Sequence, residues 1–300
     1  MAGHLLIFGL GYSGAAIARA AAGAGWTVTA TSRDPANATA PPGTRLIAFD
    51  EAEAALRDAT HLVATAPPGE DGDPVLARYG TTVRAAPARW ASYLSTTGVY
   101  GDRGGGWVDE DTPPAPSSAR SRRRLAAEEA GREACSVDGK ARALDLFRLA
   151  GIYGPGRSPF GDLRAGTARR VVRPGHLFGR IHRDDIALGV LAAMGQDRPP
   201  GVRVLNLSDD EPAASADVIA EAARLLGVEP PPAIPYDEAE SSMSGMARSF
   251  WAENRRVRGE ATQRALGLRW RHPTYREGLA ATLAEEVEDR GAEQGEVGRA

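Results

Sequence analysis

Short apolar runs alternate with longer Ala-, Leu- and Arg-rich stretches along most of this 300-residue chain. Short apolar runs bounded by turn residues are typical of strands buried in a parallel sheet, and the stretches between them have the character of helices. The predicted strands span residues 5–8, 26–31, 45–49, 61–66, 90–96, 143–149 and 202–207. The clearest predicted helices span residues 15–22, 75–86, 118–134 and 275–287. This alternation predicts an α/β fold with a doubly wound parallel sheet, a Rossmann fold.

The turn after the first predicted strand carries glycines at the spacing of a dinucleotide-binding fingerprint. Gly9, Gly11 and Gly14 enclose Tyr12 and Ser13, and a helix is predicted directly afterwards. The first glycine permits a tight turn, the second lets the backbone approach a pyrophosphate, and the third lets the helix pack closely on the strand. Chance matches are expected in a chain with 35 glycines, but the flanking strand and helix supply the required context. The turn therefore predicts a nicotinamide or flavin dinucleotide.

The end of the second predicted strand bears on which dinucleotide binds. A carboxylate at this position would bond the ribose hydroxyls of NAD, whereas this chain has Ser32 and Arg33. An arginine there can pair with the 2′-phosphate of NADP, so the sequence favours NADP. The alternative is that Arg33 is a surface turn residue and that Asp34 reaches the ribose.

Ligands of such sheets bind outside the carboxyl ends of the strands, which identifies further candidates. Asp50 follows the third predicted strand, and Ala66 and Pro67 follow the fourth. Thr96 closes the fifth. We expect Asp50, Ala66 and Pro67 to contact the cofactor.

Charge and composition exclude several classes of function. The chain carries 36 basic and 39 acidic residues, a net charge of −3, which argues against nucleic acid binding. The lone Cys135 excludes a disulfide framework and a cysteine-based metal site, and the five histidines show no metal-ligand spacing. No apolar run approaches the ~18 residues of a bilayer span, and no signal peptide is recognisable. We therefore expect a cytoplasmic protein with a small-molecule substrate and no metal, membrane or nucleic acid partner.

Four segments resemble those of the extended short-chain dehydrogenases/reductases, the NAD(P)-dependent epimerase/dehydratase family. They are STTGVYGD at residues 95–102, GIYGPG at 151–156, RIHRDDIA at 180–187 and NLSDDEP at 206–212. The resemblance covers roughly residues 4–283. It implies a cofactor domain of residues 1–155 plus about 177–207, with Tyr153 beside the cofactor, and a small C-terminal substrate domain of about 156–176 plus 208–284. It also implies a homodimer paired through the helices near 75–86 and 118–134, while residues 285–300 read as a flexible tail.

One departure from this family's pattern affects the chemistry. Family members place a Tyr and a Lys four residues apart on the helix after the fifth strand, and this chain has Arg120 and Arg124 at those positions. The resemblance is therefore to the atypical members. Arginine has a pKa above ~12 and cannot exchange a proton at neutral pH, although Arg124 can bond a ribose and Arg120 can stabilise an alkoxide or bind a substrate carboxylate or phosphate. Thr96 matches the family's Ser/Thr, which polarises a substrate oxygen. The alternative is that residues 120–124 form a solvated charged helix face.

Three other features have both a functional and a plain structural interpretation. If the chain is catalytic, another group must replace the family tyrosine as proton donor. The sequence leaves four candidates, which are Tyr100, Tyr153, His182 and water. Near His182, we expect Asp184 or Asp185 to cap a helix beginning near Ile186 rather than to hold a metal. Residues 250–251, Phe-Trp, line a substrate pocket or serve packing alone.

Two functions follow from these patterns. The first is an NADP-dependent oxidoreductase or epimerase-like enzyme acting on a small carbonyl, alcohol or nucleotide sugar, with Thr96, Arg120 and Arg124 as catalytic residues and a rearranged proton-transfer site. The second is a catalytically silent protein that senses NADP(H) and contacts a protein partner.

Overall fold

The computed structural model describes residues 3–136 and 141–297, with a parallel seven-stranded sheet at its centre. The strands of this sheet are β1 His4–Phe8, β2 Thr27–Ser32, β3 Thr44–Ala48, β4 His61–Ala64, β5 Trp90–Thr96, β7 Ala143–Leu149 and β11 Gly201–Leu207. They lie in the order β11-β7-β5-β4-β1-β2-β3. Six shorter strands pair in twos: β6 Trp107–Val108 with β13 Arg256–Val257, β8 Gly151–Tyr153 with β10 Arg180–His182, and β9 Arg170–Val172 with β12 Ala233–Pro235.

Helices cover both faces of the sheet and form most of the C-terminal part. They are α1 Tyr12–Gly23, α2 Glu53–Asp58, α3 Pro74–Ala85, α4 Ala119–Cys135, α5 Phe160–Arg164, α6 Arg183–Met194, α7 Ser215–Leu226, α8 Tyr236–Glu240, α9 Gly245–Trp251, α10 Glu260–Leu266 and α11 Tyr275–Val297. None of the helices in the described ranges combines the length and apolar composition needed to cross a bilayer.

Strand β1 shows why the sheet is buried on both sides. Leu5 and Ile7 point into one core, which contains residues of α1 and α6, while Leu6 and Phe8 point into the other, which contains residues of α2, α3 and α4. Successive side chains of a strand face opposite sides, so an unbroken apolar run requires cover on both faces. The doubly wound Rossmann fold predicted from the sequence is therefore confirmed.

The order of the strands determines where a ligand can bind. Strand β1 lies between β2 and β4, and the chain proceeds from it through α1 to β2 on one side, while β4 continues through α3 to β5 on the other. The β1–α1 turn and the loop after β4 therefore meet at the point where the strand order reverses, which is the usual ligand crevice of such sheets.

The structure departs from the predicted elements mainly at their ends. Strand β4 ends at Ala64 rather than at residue 66, and α11 continues to Val297, past residue 285, where a flexible tail was expected to begin. Part of the reason is that Glu286 accepts a hydrogen bond of 2.7 Å from Arg164, so the helix is held to the C-terminal part beyond that boundary. Residues 298–300 of the expected tail lie outside the described residues.

Candidate functional site

A cavity of about 890 Å³ lies over the carboxyl ends of β1, β5 and β7. One end is formed by the turn between β1 and α1 and contains Gly11, Tyr12, Ser13 and Gly14. The other end is formed by the end of β5, the first turns of α4 and residues 249–257. We call the first the glycine end and the second the reaction end.

At the glycine end, two glycines are required by close main-chain packing. Gly9 has a φ of +104°, and a Cβ on Gly14 would lie 2.2 Å from the Gly9 carbonyl oxygen. The Thr65 hydroxyl donates to that same oxygen at 2.6 Å and fastens the turn to the end of β4. The tight turn and the close helix–strand approach predicted for Gly9 and Gly14 are thus present.

Gly11 and the start of α1 are open toward the cavity. A Cβ on Gly11 would meet no atom of the described residues within 4 Å. Gly11 is also the N-cap of α1, and no side chain caps the first turn, which contains no acidic residue. The N–H groups of this turn and its positive dipole end are therefore available to an anion, which is the arrangement that a dinucleotide pyrophosphate needs.

Tyr12 forms the wall beside the uncapped turn. Its hydroxyl donates to the Pro155 carbonyl at 3.0 Å, and the Arg157 guanidinium lies 4.5 Å from the centre of its ring. Burial raises the pKa of Tyr12 to about 12, so the hydroxyl stays protonated at neutral pH. Tyr12 thus joins α1 to the segment after β8 and brings the Arg157 charge to this wall.

The residues predicted to select NADP lie outside the cavity lining, at the carboxyl end of β2. Both carboxylate oxygens of Asp34 are engaged by Asn37, at 3.3 Å from its main-chain nitrogen and 2.7 Å from its side-chain nitrogen. Asp34 thus caps the short 3₁₀ helix Pro35–Asn37. The Ser32 hydroxyl accepts from the Asp34 main chain, and Arg33 is exposed. This arrangement favours Arg33 over Asp34 as the residue free to meet a cofactor ribose.

The other predicted cofactor contacts after β3 and β4 also lie outside the cavity lining. Asp50 is exposed and its carboxylate lies 3.6 Å from Arg78. Ala66 packs under the glycine turn, since its main-chain nitrogen would lie 3.4 Å from a Cβ on Gly9, and Pro67 follows it along the loop. From this region the cavity wall receives Thr65, which the sequence did not single out.

Thr96, predicted as catalytic, does lie at the reaction end, together with two serines that the sequence analysis did not consider. Thr96 accepts a hydrogen bond from Gly98 N at 3.1 Å, and Ser118 and Ser121 from the start of α4 line the same wall. The Ser118 hydroxyl accepts from Ser121 N at 3.1 Å and donates to the Ser121 hydroxyl at 2.9 Å. An S-x-x-S pair at a helix start would have been a usable sequence signal for this arrangement.

Arg120 and Arg124 both line the reaction end, one turn apart on α4. Arg124 donates from one nitrogen to the Leu94 carbonyl at 2.7 Å and to the Tyr93 hydroxyl at 3.1 Å. Arg120 is exposed. Neither forms an ion pair with a carboxylate of the described residues, so both positive charges remain available to a ligand.

The side chains suggested as replacement proton donors are turned away from the cavity. Tyr100 is fully buried and its hydroxyl donates to Asn206 at 2.7 Å. Tyr153 contributes to the wall, but its hydroxyl lies under α11, donating to the Thr274 carbonyl at 3.4 Å. A Cβ on Gly278 would overlap that hydroxyl at 1.8 Å, and burial raises the pKa of Tyr153 well above its usual range.

His182 belongs to a buried cluster behind Tyr153 rather than to the cavity wall. It is the N-cap of α6, its Nδ1 accepting from Asp184 N at 3.3 Å, so the prediction that Asp184 or Asp185 caps a helix near Ile186 was wrong. The helix begins earlier, at Arg183, and this places Asp185 in its first turn. Burial and the neighbouring His272 lower the pKa of His182 to about 4, so its ring is neutral at pH 7.

Asp185, His182 and His272 come close enough together to resemble a metal site. The Asp185 carboxylate, however, already accepts main-chain bonds from Arg271 at 2.7 Å and His272 at 3.0 Å, and also lies 3.0 Å from His272 Nδ1. These bonds fasten the residues before α11 to α6. The cluster is therefore explained by packing of the C-terminal segment.

A buried ion pair supports the reaction end from below. Glu128, 0 % exposed, binds Arg148 through two contacts of 2.7 and 3.2 Å and accepts the Ser95 hydroxyl at 2.6 Å. The Arg148 guanidinium lies 4.8 Å from the centre of the Tyr100 ring. Because Ser95 precedes Thr96, this pair fixes the end of β5 against α4.

The outer wall of the reaction end combines aromatic and positively charged side chains. Phe178, Phe250 and Trp251 line it, so the aromatic pair at 250–251 does face the pocket. The cavity lining contains five arginines and one acidic residue, Glu253; the arginines are Arg120, Arg124, Arg157, Arg180 and Arg255. Arg255 pairs with Glu253 at 2.6 Å, and the other four form no salt bridge in the part of the chain that the structure describes, although the negative charge of the buried Asp209 acts on Arg180.

This outer wall is tied to the Gly- and Pro-rich loop that follows β5. The loop supplies β6, which pairs with β13, and Asp102 accepts from Asn254 N at 2.8 Å. Arg255 donates to the Gly101 carbonyl at 2.9 Å. Residues 249–257 are thereby held beside Thr96.

Comparisons with known proteins identify relatives across most of the chain. No family model matches. The chain is 31 % identical over 244 residues to protein YeeZ of Escherichia coli K12, covering 75 % of this chain and 84 % of that protein. It is 30 % identical over 211 residues to a 3-diazoavenalumate denitrifying reductase of a Streptomyces species, covering 65 % of this chain and 66 % of the reductase.

Solved structures share the whole fold. A conserved protein of unknown function from Silicibacter pomeroyi is 44 % identical with a TM-score of 0.84, over 94 % of this chain and 99 % of that one. Human epimerase family protein SDR39U1, solved with NADPH, is 21 % identical with a TM-score of 0.74, over 93 % of this chain and 98 % of that one. The second similarity establishes the fold alone.

Proposed function

Because the chain belongs to the short-chain dehydrogenase/reductase family, as an atypical member related to the NAD(P)-dependent epimerases and dehydratases, we propose that it is an NADP-preferring oxidoreductase acting on a small anionic carbonyl or alcohol. One observation carries the proposal: a single cavity joins an uncapped glycine turn to Thr96 and unpaired arginines. The Streptomyces relative is named a reductase and the human structural neighbour was solved with NADPH, which supports the same class.

The residues present fit a nicotinamide dinucleotide. The open space at Gly11 and the free N–H groups of Tyr12 and Ser13 would hold the pyrophosphate, and Arg33 would meet a 2′-phosphate. A bound nicotinamide would supply or accept a hydride at the reaction end. We propose the remaining predicted contacts, Asp50 and Ala66 with Pro67, as neighbours of the adenosine and ribose.

The chain's own side chains account for the rest of the chemistry. The Thr96 hydroxyl is placed to bond a substrate oxygen, and the Arg120 and Arg124 charges stabilise negative charge developing on it. Since a guanidinium stays protonated at neutral pH, the two arginines act electrostatically and do not transfer the proton.

The charge of the cavity lining favours an anionic substrate. Arg157 lies against Tyr12 at the glycine end, which leaves Arg120, Arg124 and Arg180 for the substrate. Arg180 donates from one nitrogen to the Phe178 and Ala213 carbonyls at 3.0 Å each and is thus held in place beside the aromatic wall. A carboxylate or phosphate paired with these arginines would turn an aromatic or aliphatic body toward Phe178 and Trp251.

Calorimetry tests the cofactor. We expect NADPH to bind at least tenfold more tightly than NADH, and Arg33→Glu to weaken NADPH far more than NADH because it removes the 2′-phosphate partner. Asp34→Asn is the control, because Asp34 is already engaged by Asn37. Equal losses for both cofactors in Arg33→Glu would contradict the NADP preference, and no heat with either would contradict the oxidoreductase.

A carbonyl panel tests the reaction. Paired probes such as 4-carboxybenzaldehyde and benzaldehyde are followed by NADPH consumption, and we expect the carboxylated member to have the higher kcat/KM. Arg120→Gln should remove most of that preference, while Arg123→Gln on the same helix should not. Tight NADPH binding without turnover across a broad panel would favour instead the silent NADP(H)-sensing protein.

A further inference from the structure

We propose that the Ser121 hydroxyl is the catalytic proton donor in place of the family tyrosine, with Ser118 connecting it to solvent. The inference rests on the proposed oxidoreductase function and concerns the same cavity. It is carried by the hydrogen-bonded pair of hydroxyls at the start of α4 and by the position of Ser121 and Thr96, which pack against Gly98 and line the cavity.

The two serine hydroxyls form a hydrogen-bonded pair. As the N-cap of α4, Ser118 uses its oxygen to accept from Ser121 N at 3.1 Å, and its hydroxyl lies 2.9 Å from the Ser121 hydroxyl. A proton can therefore pass between the two oxygens. Ser121 is only 6 % exposed but lines the cavity, and Ser118 is half-buried and thus more accessible to solvent.

The Thr96 hydroxyl lies close to Ser121 on the wall of the cavity. Its oxygen accepts from Gly98 N at 3.1 Å. A Cβ on Gly98 would lie 2.9 Å from the Ser121 oxygen and 3.3 Å from the Thr96 oxygen, so both hydroxyls pack against Gly98 and only a glycine fits there. Because Ser121 and Thr96 both line the cavity, a substrate carbonyl oxygen accepting from the two hydroxyls would be held as in an oxyanion hole.

The neighbouring charges favour proton transfer from a serine. A serine hydroxyl is a weak acid, so its oxygen must be stabilised when the proton leaves. Arg120 and Arg124 lie on the same face of α4, before and after Ser121, without carboxylate partners among the described residues. Their positive charge lowers the cost of negative charge on both the substrate oxygen and Ser121.

The step balances in atoms and electrons. A bound NADPH would supply a hydride to the carbonyl carbon and would itself be oxidised to NADP⁺, while the electron pair of the carbonyl π bond would move to oxygen. That oxygen takes the Ser121 proton, Ser121 takes the Ser118 proton, and Ser118, which is half-buried, takes a proton from water. The products are an alcohol and NADP⁺, with one proton consumed from solvent, and alcohol oxidation follows the reverse path.

Chemical labelling tests the position of Ser121 without requiring a substrate. Ser121→Cys is made in a Cys135→Ser background, and iodoacetamide alkylation is followed with and without saturating NADP⁺. We expect NADP⁺ to slow alkylation at least tenfold and the two arginines to make the thiol more acidic than a free cysteine. Ser136→Cys, at the exposed far end of α4, is the control and should react equally with and without NADP⁺.

Failure of the proton-donor inference can be told apart from failure of the proposed function. If calorimetry shows NADP⁺ binding but alkylation of Ser121→Cys is unaffected by it, the proton-donor inference is overturned and the proposed function stands. If NADP⁺ does not bind, the proposed function fails and the inference fails with it.

Kinetics on the carbonyl probe that is turned over test the chemistry. Ser121→Ala should lower kcat at least 100-fold with an unchanged Kd for NADPH, since general acid catalysis contributes about 10²–10⁴-fold. Ser121→Thr keeps a hydroxyl and should recover part of the rate. Ser136→Ala should be indistinguishable from the parent. Retention of kcat within threefold in Ser121→Ala would overturn the assignment.

Ser118→Asp separates a relay from a structural cap. An aspartate remains a good N-cap, so the helix is preserved. Its carboxylate, however, accepts the Ser121 proton instead of donating one, and we expect kcat to fall at least tenfold and the solvent deuterium isotope effect to change. An unchanged kcat and isotope effect would limit Ser118 to capping and overturn its part in the relay.

Discussion

At the glycine end the cavity wall is main chain from one continuous segment, whereas at the reaction end it is side chains from several distant ones. Residues 9–14 form the first wall by a positive φ at Gly9, an open Gly11 and an uncapped helix start. The second wall draws on the end of β5, the start of α4, the region of Arg180 and residues 249–257. The difference teaches that recognition by backbone depends on spacing in the sequence, while recognition by side chains depends on tertiary contacts.

The largest effect expected is at the glycine end. Gly14→Ala places a methyl group 2.2 Å from the Gly9 oxygen, so α1 must shift and its N–H groups lose their alignment. We expect the Kd for NADPH to rise at least 100-fold by calorimetry. Gly23→Ala, at the other end of α1, meets no described atom within 4 Å and should leave binding unchanged. Similar affinities for NADPH in the two variants would contradict the role given to the main chain at the glycine end.

At the reaction end the largest effect is expected from the buried ion pair. Glu128→Gln leaves Arg148 without its countercharge, and breaking such a pair costs about 3–5 kcal/mol. Urea unfolding should show this loss. Glu129→Gln is the control, because Glu129 pairs with Arg132 at the surface, where such a change costs about 1 kcal/mol or less. Equal losses would mean that Glu128 does not support the end of β5.

Acid separates the cavity wall from the buried cluster behind Tyr153, because the cavity lining contains no histidine among the described residues, whereas the cluster contains His182. The pKa of His182 is lowered to about 4, so between about pH 6.5 and 4 the unfolded chain binds a proton that the folded one does not. Stability should therefore fall as the pH falls through this window, by on the order of 3 kcal/mol for such a shift. His182→Asn keeps an N-cap. Urea unfolding of this variant at about pH 6.5 and at about pH 4 should show a smaller loss of stability between the two pH values than in the parent chain. An equal loss would assign the acid sensitivity to other groups, such as the buried His61, whose pKa burial also lowers to about 4.

The smallest effect expected concerns the aromatic wall. Phe250 is 56 % exposed but faces the cavity, so Phe250→Ala should raise KM about fivefold for an aromatic carbonyl probe and leave kcat nearly unchanged. Met246→Ala on the same helix, 67 % exposed and outside the lining, should leave KM unaltered. A change in both variants would point to α9 as a whole.

The same contrast explains how far the sequence could predict the structure. The apolar runs predicted the sheet because strands buried on both faces need them, and the glycine spacing predicted the turn because Gly14 has no room for a side chain. The sequence could not predict that Tyr100 and Tyr153 point away from the cavity, since their orientation depends on distant partners, Asn206 and the start of α11. The short paired strands were missed because two or three residues show no periodicity.

The proposed proton donor shows the same limit of prediction from sequence. Ser118 and Ser121 are ordinary residues for a helix start, and their relation to Thr96 exists only because Gly98 brings β5 and α4 together. The placement of Arg120 and Arg124 was predicted from the family resemblance, and the structure does bring both to the cavity. What the resemblance could not indicate is which neighbouring hydroxyls line the cavity beside these arginines.

Gly278 has a consequence for engineering the chain. Because Tyr153 lies directly beneath it, any larger residue at this position must lift the first turns of the terminal helix from the body. Further along, the helix is also held by Glu285, which pairs with Arg183, and by Glu286, which pairs with Arg164. Grafts into the region of residues 274–282 should therefore move Tyr153 and disturb the pocket wall to which it contributes.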